Sequence, residues 1–86
     1  MVSTLDILKK EKELVDEINR VDRYIEIVRS QIENTKKYTL DCEVRTRDLI
    51  VLEDMNKDYQ ENRSELLKKL DEVQIELREH LKQMLL

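Results

Sequence analysis

Apolar side chains recur along the first part of this chain at alternating steps of four and three residues. An α-helix turns once in about 3.6 residues, so this spacing puts them on one face of a helix. A register kept over several heptads predicts a coiled-coil helix that buries this stripe against another helix. Its members at heptad positions a and d are Leu14, Ile18, Val21, Ile25, Val28 and Ile32.

A second stripe with the same spacing covers the C-terminal part of the chain in a shifted register. Its apolar members include Leu52, Tyr59, Leu66, Leu70, Val73 and Leu77. Continuing the first register reaches Leu49 as a d position, whereas Leu52 is the first d position of the second register. The step from Leu49 to Leu52 adds three residues to the register. Such an insertion is either a stammer in one coiled coil or a boundary between two helices.

The composition favours helices over a compact globule or a disordered chain. The 86 residues include no glycine and no proline, and 42% of them are charged. Tight turns usually use glycine and proline, whereas long helices and coiled coils are rich in charge and lack helix breakers. Disordered chains are poor in apolar residues, which here make up 40% and are periodic. We therefore predict an all-α fold that forms a single unit over residues 1–86.

The start of the first helix is marked in the sequence. Ser3 is a suitable N-cap, and Asp6 occupies the acidic position of a capping box. Val2 and Ile7 have the spacing of a hydrophobic staple. We expect one long coiled-coil helix over about residues 4–84, with heptad segments at 4–35 and 48–86.

The middle segment 36–47 is predicted to be a bend or frayed seam in that helix, and the alternative is a turn in an antiparallel helical hairpin. Lys36 and Lys37 suit a helix C-terminus, and Asp41 and Glu43 suit a helix N-terminus, because of the helix dipole. Against a turn, only Asn34 is a residue that favours a left-handed helix end, and it lies early. The first stripe also continues through the segment at Thr35, Thr39, Cys42 and Thr46. In that arrangement we expect Cys42 to be a small buried thiol.

Both predicted arrangements work by association between helices. The predicted protein-interface residues are Leu14, Ile18, Val21, Ile25, Val28, Ile32, Leu49, Leu52, Met55, Tyr59, Leu66, Leu70, Val73 and Leu77. Asn56 and Arg63 occupy a positions, where polar residues fix register or partner, so they are candidates for specificity. Arg63 then requires a carboxylate, expected from a partner chain. The run 49–52 with Met55 is either a broadened core or a docking patch for another helix.

Charge and motifs argue against several other functions. The net charge is −4 with both signs well mixed, which disfavours nucleic-acid binding. The longest apolar run has four residues, far below the ~20 that span a bilayer, and the N-terminus lacks the features of a secretory signal. We find no catalytic pair, phosphate loop or metal-ligand spacing. The expectation is a non-enzyme without cofactor, metal, membrane, nucleic-acid or small-molecule partner, located in the cytoplasm or nucleus.

Residues 23–32 (RYIEIVRSQI) resemble a segment of the Brick-type small subunit of the WAVE actin-regulatory complex, and 45–47 (RTR) resemble a later Arg-Ser-Arg of that family. The resemblance implies a short helical subunit that forms trimers. The family's tryptophan-bearing N-terminal segment has no counterpart in this chain, so no functional residue is carried over.

The sequence therefore predicts an oligomerisation or scaffold protein, or a small structural subunit of a larger assembly, whose partners are protein helices. Self-association as a dimer to tetramer and hetero-oligomerisation both remain open; isoleucine at a with valine at d favours more than two strands. The alternatives are a hairpin regulatory module that dimerises into a four-helix bundle and a Brick-like subunit.

Overall fold

The computed structural model describes residues 3–85, which form two antiparallel helices joined by a short turn. Helix α1 spans Thr4–Tyr38 and helix α2 spans Cys42–Leu85. The hairpin is 67 Å long and 16 Å wide. The all-α prediction is confirmed, and of the two predicted arrangements the structure shows the hairpin.

Contacts between the helices show that they run in opposite directions. At the open end, where the two helix termini meet, the hydroxyl of Thr4 donates to the thioether sulfur of Met84 at 3.4 Å. Midway along the hairpin, the rings of Tyr24 and Tyr59 stack with centroids 5.5 Å apart. Residue numbers thus rise along α1 as they fall along α2, and the connecting turn forms the opposite, loop end.

The predicted capping box begins α1. The hydroxyl of Ser3 accepts a hydrogen bond from the Asp6 amide at 3.2 Å, and the Ser3 amide donates to the Asp6 carboxylate at 3.4 Å. Two of the amides that lack partners at a helix start are satisfied in this way. The proposed staple involves Val2, which lies outside the described residues.

The turn consists of residues 39–41 and is made by caps rather than by a left-handed residue. The Thr39 amide donates to the Thr35 carbonyl at 3.2 Å, which closes α1. The Asp41 carboxylate accepts from the Glu43 and Val44 amides at 2.9 and 3.1 Å, which caps α2. No described residue has a positive φ. A turn of this kind requires neither glycine nor asparagine, so their absence did not count against it.

Because the chain turns at residues 39–41, the first register does not continue into α2. The prediction of a continuous helix through 36–47 with a stammer is therefore corrected. The register shift in the sequence coincides with the turn. Cys42 and Thr46, expected on the buried seam, are exposed. Leu49, expected as a d position of the first register, belongs to the stripe of α2 and occupies an a position there.

The core is a single seam between the two helices. Ile18, Val21, Ile25 and Leu66 form its buried cluster, with Leu14, Tyr59 and Leu70 packed against it. Ile7 and Val28 are also buried. The side chains on both helices that flank this seam stay accessible, because two helices cover only one stripe of each other.

Candidate protein-interaction surface

Most of the predicted interface residues pack between the two helices of the same chain. Within the described residues the fully buried members lie mainly on α1, and the rest are half-buried along both helices. Met55 is the exception, with 39% of its surface exposed. The half-buried members are Leu14, Ile32, Leu49, Leu52, Tyr59, Leu70, Val73 and Leu77. The seam predicted from the heptads is therefore formed between the two helices of one chain.

Asn56, a predicted specificity residue, lies on the seam. Its side-chain oxygen is buried and accepts no hydrogen bond from the described residues. A buried acceptor without a partner costs about 1–3 kcal/mol. The position is therefore held at a cost in stability, as polar a positions that fix a register are.

Arg63, the other specificity residue, pairs within the chain. Its Nε lies 2.6 Å from a carboxylate oxygen of Asp22 on α1, and both side chains are partly exposed. The prediction that a partner chain supplies this carboxylate is corrected, because α1 already places one beside it. The pair links the two helices at mid-length.

The two sides of the hairpin differ, and heptad letters describe the difference. Positions g of both helices meet on one side, since Glu17 and Tyr24 of α1 line the same groove as Asn62 of α2. In an antiparallel pair, positions e of both helices then meet on the opposite side. Asp22 lies at an e position, so its pair with Arg63 belongs to this second side.

The e side carries apolar residues in the half of the hairpin nearer the open end. These residues occupy e positions where soluble coiled coils normally place charge. Between 38% and 43% of the surface of each is exposed. We call this set the open-half strip; its members are Leu8, Val15, Leu67 and Leu81.

A second apolar area lies on the g side, nearer the loop end. Tyr24, Ile27, Val51 and Met55 are 39–54% exposed there, and we call them the loop-half patch. The other half of the g side is charged, with Lys10, Glu17 and Lys69 lining one groove. Of the predicted docking patch at 49–52, Ile50 and Val51 are more than half exposed, whereas its two leucines are half-buried against α1.

The open-half strip is not visible from positions a and d alone. The available signal was leucine or valine seven residues apart on α1, and leucine fourteen residues apart on α2, each directly after a d position. It becomes meaningful only when the two helices are known to be antiparallel, because that arrangement brings both sets to one side.

Within residues 3–85, neither helix holds an apolar stretch long enough to cross a bilayer. In the same range, no three histidine, cysteine, aspartate or glutamate side chains are grouped so as to hold a metal ion. Comparison with protein-family models, with curated proteins and with solved structures finds no match to this chain. The Brick-like residues 23–32 contribute Ile25 and Val28 to the buried seam, so their pattern has a role within the hairpin itself.

Proposed function

We propose that this chain is a non-enzymatic oligomerisation module, a helical hairpin that works by packing its exposed apolar side against other protein helices as a scaffold or small subunit. The observation that carries this proposal is the open-half strip. Single exposed apolar residues are ordinary on protein surfaces, whereas several gathered on one side favour an interaction site.

The thin core supports the same proposal. Six large apolar residues are buried in the described part of the chain, and the exposed ones outnumber them. Two helices alone bury little surface, and small domains of this kind usually gain stability from a partner. Packing against further helices covers the half-buried seam as well as the strip.

The test is the mass of the full chain in solution, measured by sedimentation equilibrium from about 1 to 200 µM. We expect a mass that rises with concentration to a multiple of 10.4 kDa. Helicity measured across the same range separates association from folding. A folded chain that stays at monomer mass throughout contradicts the proposal.

A further inference from the structure

The e side is mostly apolar in its open half, where Gln74 is polar and exposed, and it is charged in its loop half. The ion pair of Asp22 with Arg63 lies between the two halves.

The loop-half positions of the e side hold Arg29 and Lys36 on α1, and Glu53 with Gln60 on α2, all of them exposed. Arg29 also lies 3.7 Å from Glu26 on its own helix, an exposed pair. A partner that covers the whole e side must therefore offer apolar surface to one half and both signs of charge to the other.

A second copy of this chain meets that requirement in one orientation. In this orientation the two open ends lie side by side, and the two-fold axis runs parallel to the long axis of the hairpins. Helix α1 of one copy then lies against α2 of the other, at the same height along the bundle. The open-half strip then faces its own counterpart. Arg29 and Lys36 face the partner's Glu53, so opposite charges meet.

The reversed orientation does not meet it. Placing the open end of one copy over the loop end of the other sets Leu8 and Leu81 against Arg29, Lys36 and Glu53. Covering charges with apolar side chains removes their hydration without a partner in return, which is unfavourable. The distribution of residues along the e side therefore selects the orientation with both open ends together.

The available area agrees with full overlap. A side 67 Å long and 16 Å wide offers roughly 1,000 Å² per copy, above the about 800 Å² per partner of a standard stable interface. An offset contact through the open halves alone offers about half of that, which is below the standard size.

We propose that the e side is the interface of a two-fold symmetric dimer of this chain, in which two hairpins lie side by side with their open ends at one pole and form a four-helix bundle. The proposal rests on the proposed function and names the partner. In the assembled bundle, the open-half strip is buried and the loop-half patch stays exposed on the outside.

Spin labels test the orientation. Cys42 is the single cysteine of the chain, lies at the loop end and is exposed, so it takes a label directly. A second sample carries Lys82→Cys in a Cys42→Ser background and reports on the open end. Dipolar spectroscopy should give distances between copies of roughly 20–40 Å at both sites, the width of a bundle of helices ~10 Å thick. A distance of about 60 Å or more at either site overturns the orientation, since the hairpin is 67 Å long.

Three matched substitutions test which side is buried. Leu81, Met55 and Ile75 all lie on α2 and are 42%, 39% and 44% exposed, on the e side, the g side and the outer face. Leu81→Glu should raise the dimer dissociation constant at least about tenfold, as at a strong interface position. Met55→Glu and Ile75→Glu should leave it within about twofold. Circular dichroism confirms that each variant keeps its helix content.

The results separate this inference from the proposed function. If the wild-type chain forms an oligomer but Met55→Glu weakens it and Leu81→Glu does not, the e-side dimer is wrong and the oligomerisation function stands. If the wild-type chain stays monomeric, both fail. A dimer that loses affinity through Leu81 and shows short distances at both labels supports both.

Discussion

At the scale of single residues, polar side chains on the seam lower the stability of the hairpin locally. Asn56 has a buried side-chain oxygen that accepts no hydrogen bond within residues 3–85, and Arg63 occupies an a position that an apolar residue would fill better. Arg63 is compensated by Asp22 at 2.6 Å. Such a partly exposed pair contributes about 0–1 kcal/mol. Asn56 therefore lowers the stability of the hairpin, and the pair of Arg63 with Asp22 adds little to it.

Replacing Asn56 with leucine should raise the free energy of unfolding by about 1–2 kcal/mol, because the unpaired acceptor disappears and apolar packing is gained. Urea denaturation at one fixed chain concentration measures the change. Asn62→Leu, on the exposed g side of the same helix, is the matched control and should stay within about 0.5 kcal/mol. A loss of stability in Asn56→Leu would show that the amide has a favourable partner.

At the scale of elements, the turn determines the fold, and it is made by Asp41. The side chain of this residue accepts from two amides at the start of α2. Leu40 beside it is 92% exposed and contributes no packing. The chain therefore turns because a cap competes successfully with continued helix at residues 39–41.

Asp41→Ala should lower the free energy of unfolding by about 1 kcal/mol, the usual effect of losing an N-cap. Thermal or urea unfolding measures it, with Leu40→Ala as the control that should change little. If both substitutions lower the free energy of unfolding equally, the Asp41 cap is not what stabilises the turn.

The same elements show what the sequence can and cannot predict. The capping box at Ser3 and the seam through Ile18 and Ile25 were predicted, because a cap motif and a heptad repeat are local patterns. The turn was only the alternative prediction, since the sequence does not distinguish Asp41 from other acidic residues and its capping contacts appear only in the structure. The open-half strip was missed for a related reason: its side is defined by pairing between distant segments.

At the scale of the whole molecule, the hairpin is long, thin and sparsely packed. Its seam buries few side chains for its 67 Å length. A dimer that covers the e side adds a second layer to this core. Folding stability and association are then linked by mass action.

We expect the melting temperature to rise with chain concentration, by several degrees between about 5 and 200 µM, because the dimer stabilises the folded state. Differential scanning calorimetry measures this shift. Leu81→Glu should flatten the dependence, whereas Ile75→Glu should keep it. A melting temperature independent of concentration in the wild-type chain would show that the hairpin is stable without a partner.

The glycine-free turn makes this hairpin suited to domain exchange. Residues 39–41 separate two helices that have no proline or glycine near the junction, so a chain that loses the Asp41 cap can continue as one helix. Two such open chains, laid antiparallel, make the same contacts between α1 and α2 across molecules. The exchanged dimer is about twice as long as the hairpin. It brings the Cys42 labels close together and separates the Lys82→Cys labels, a pattern that distinguishes it from two closed hairpins side by side.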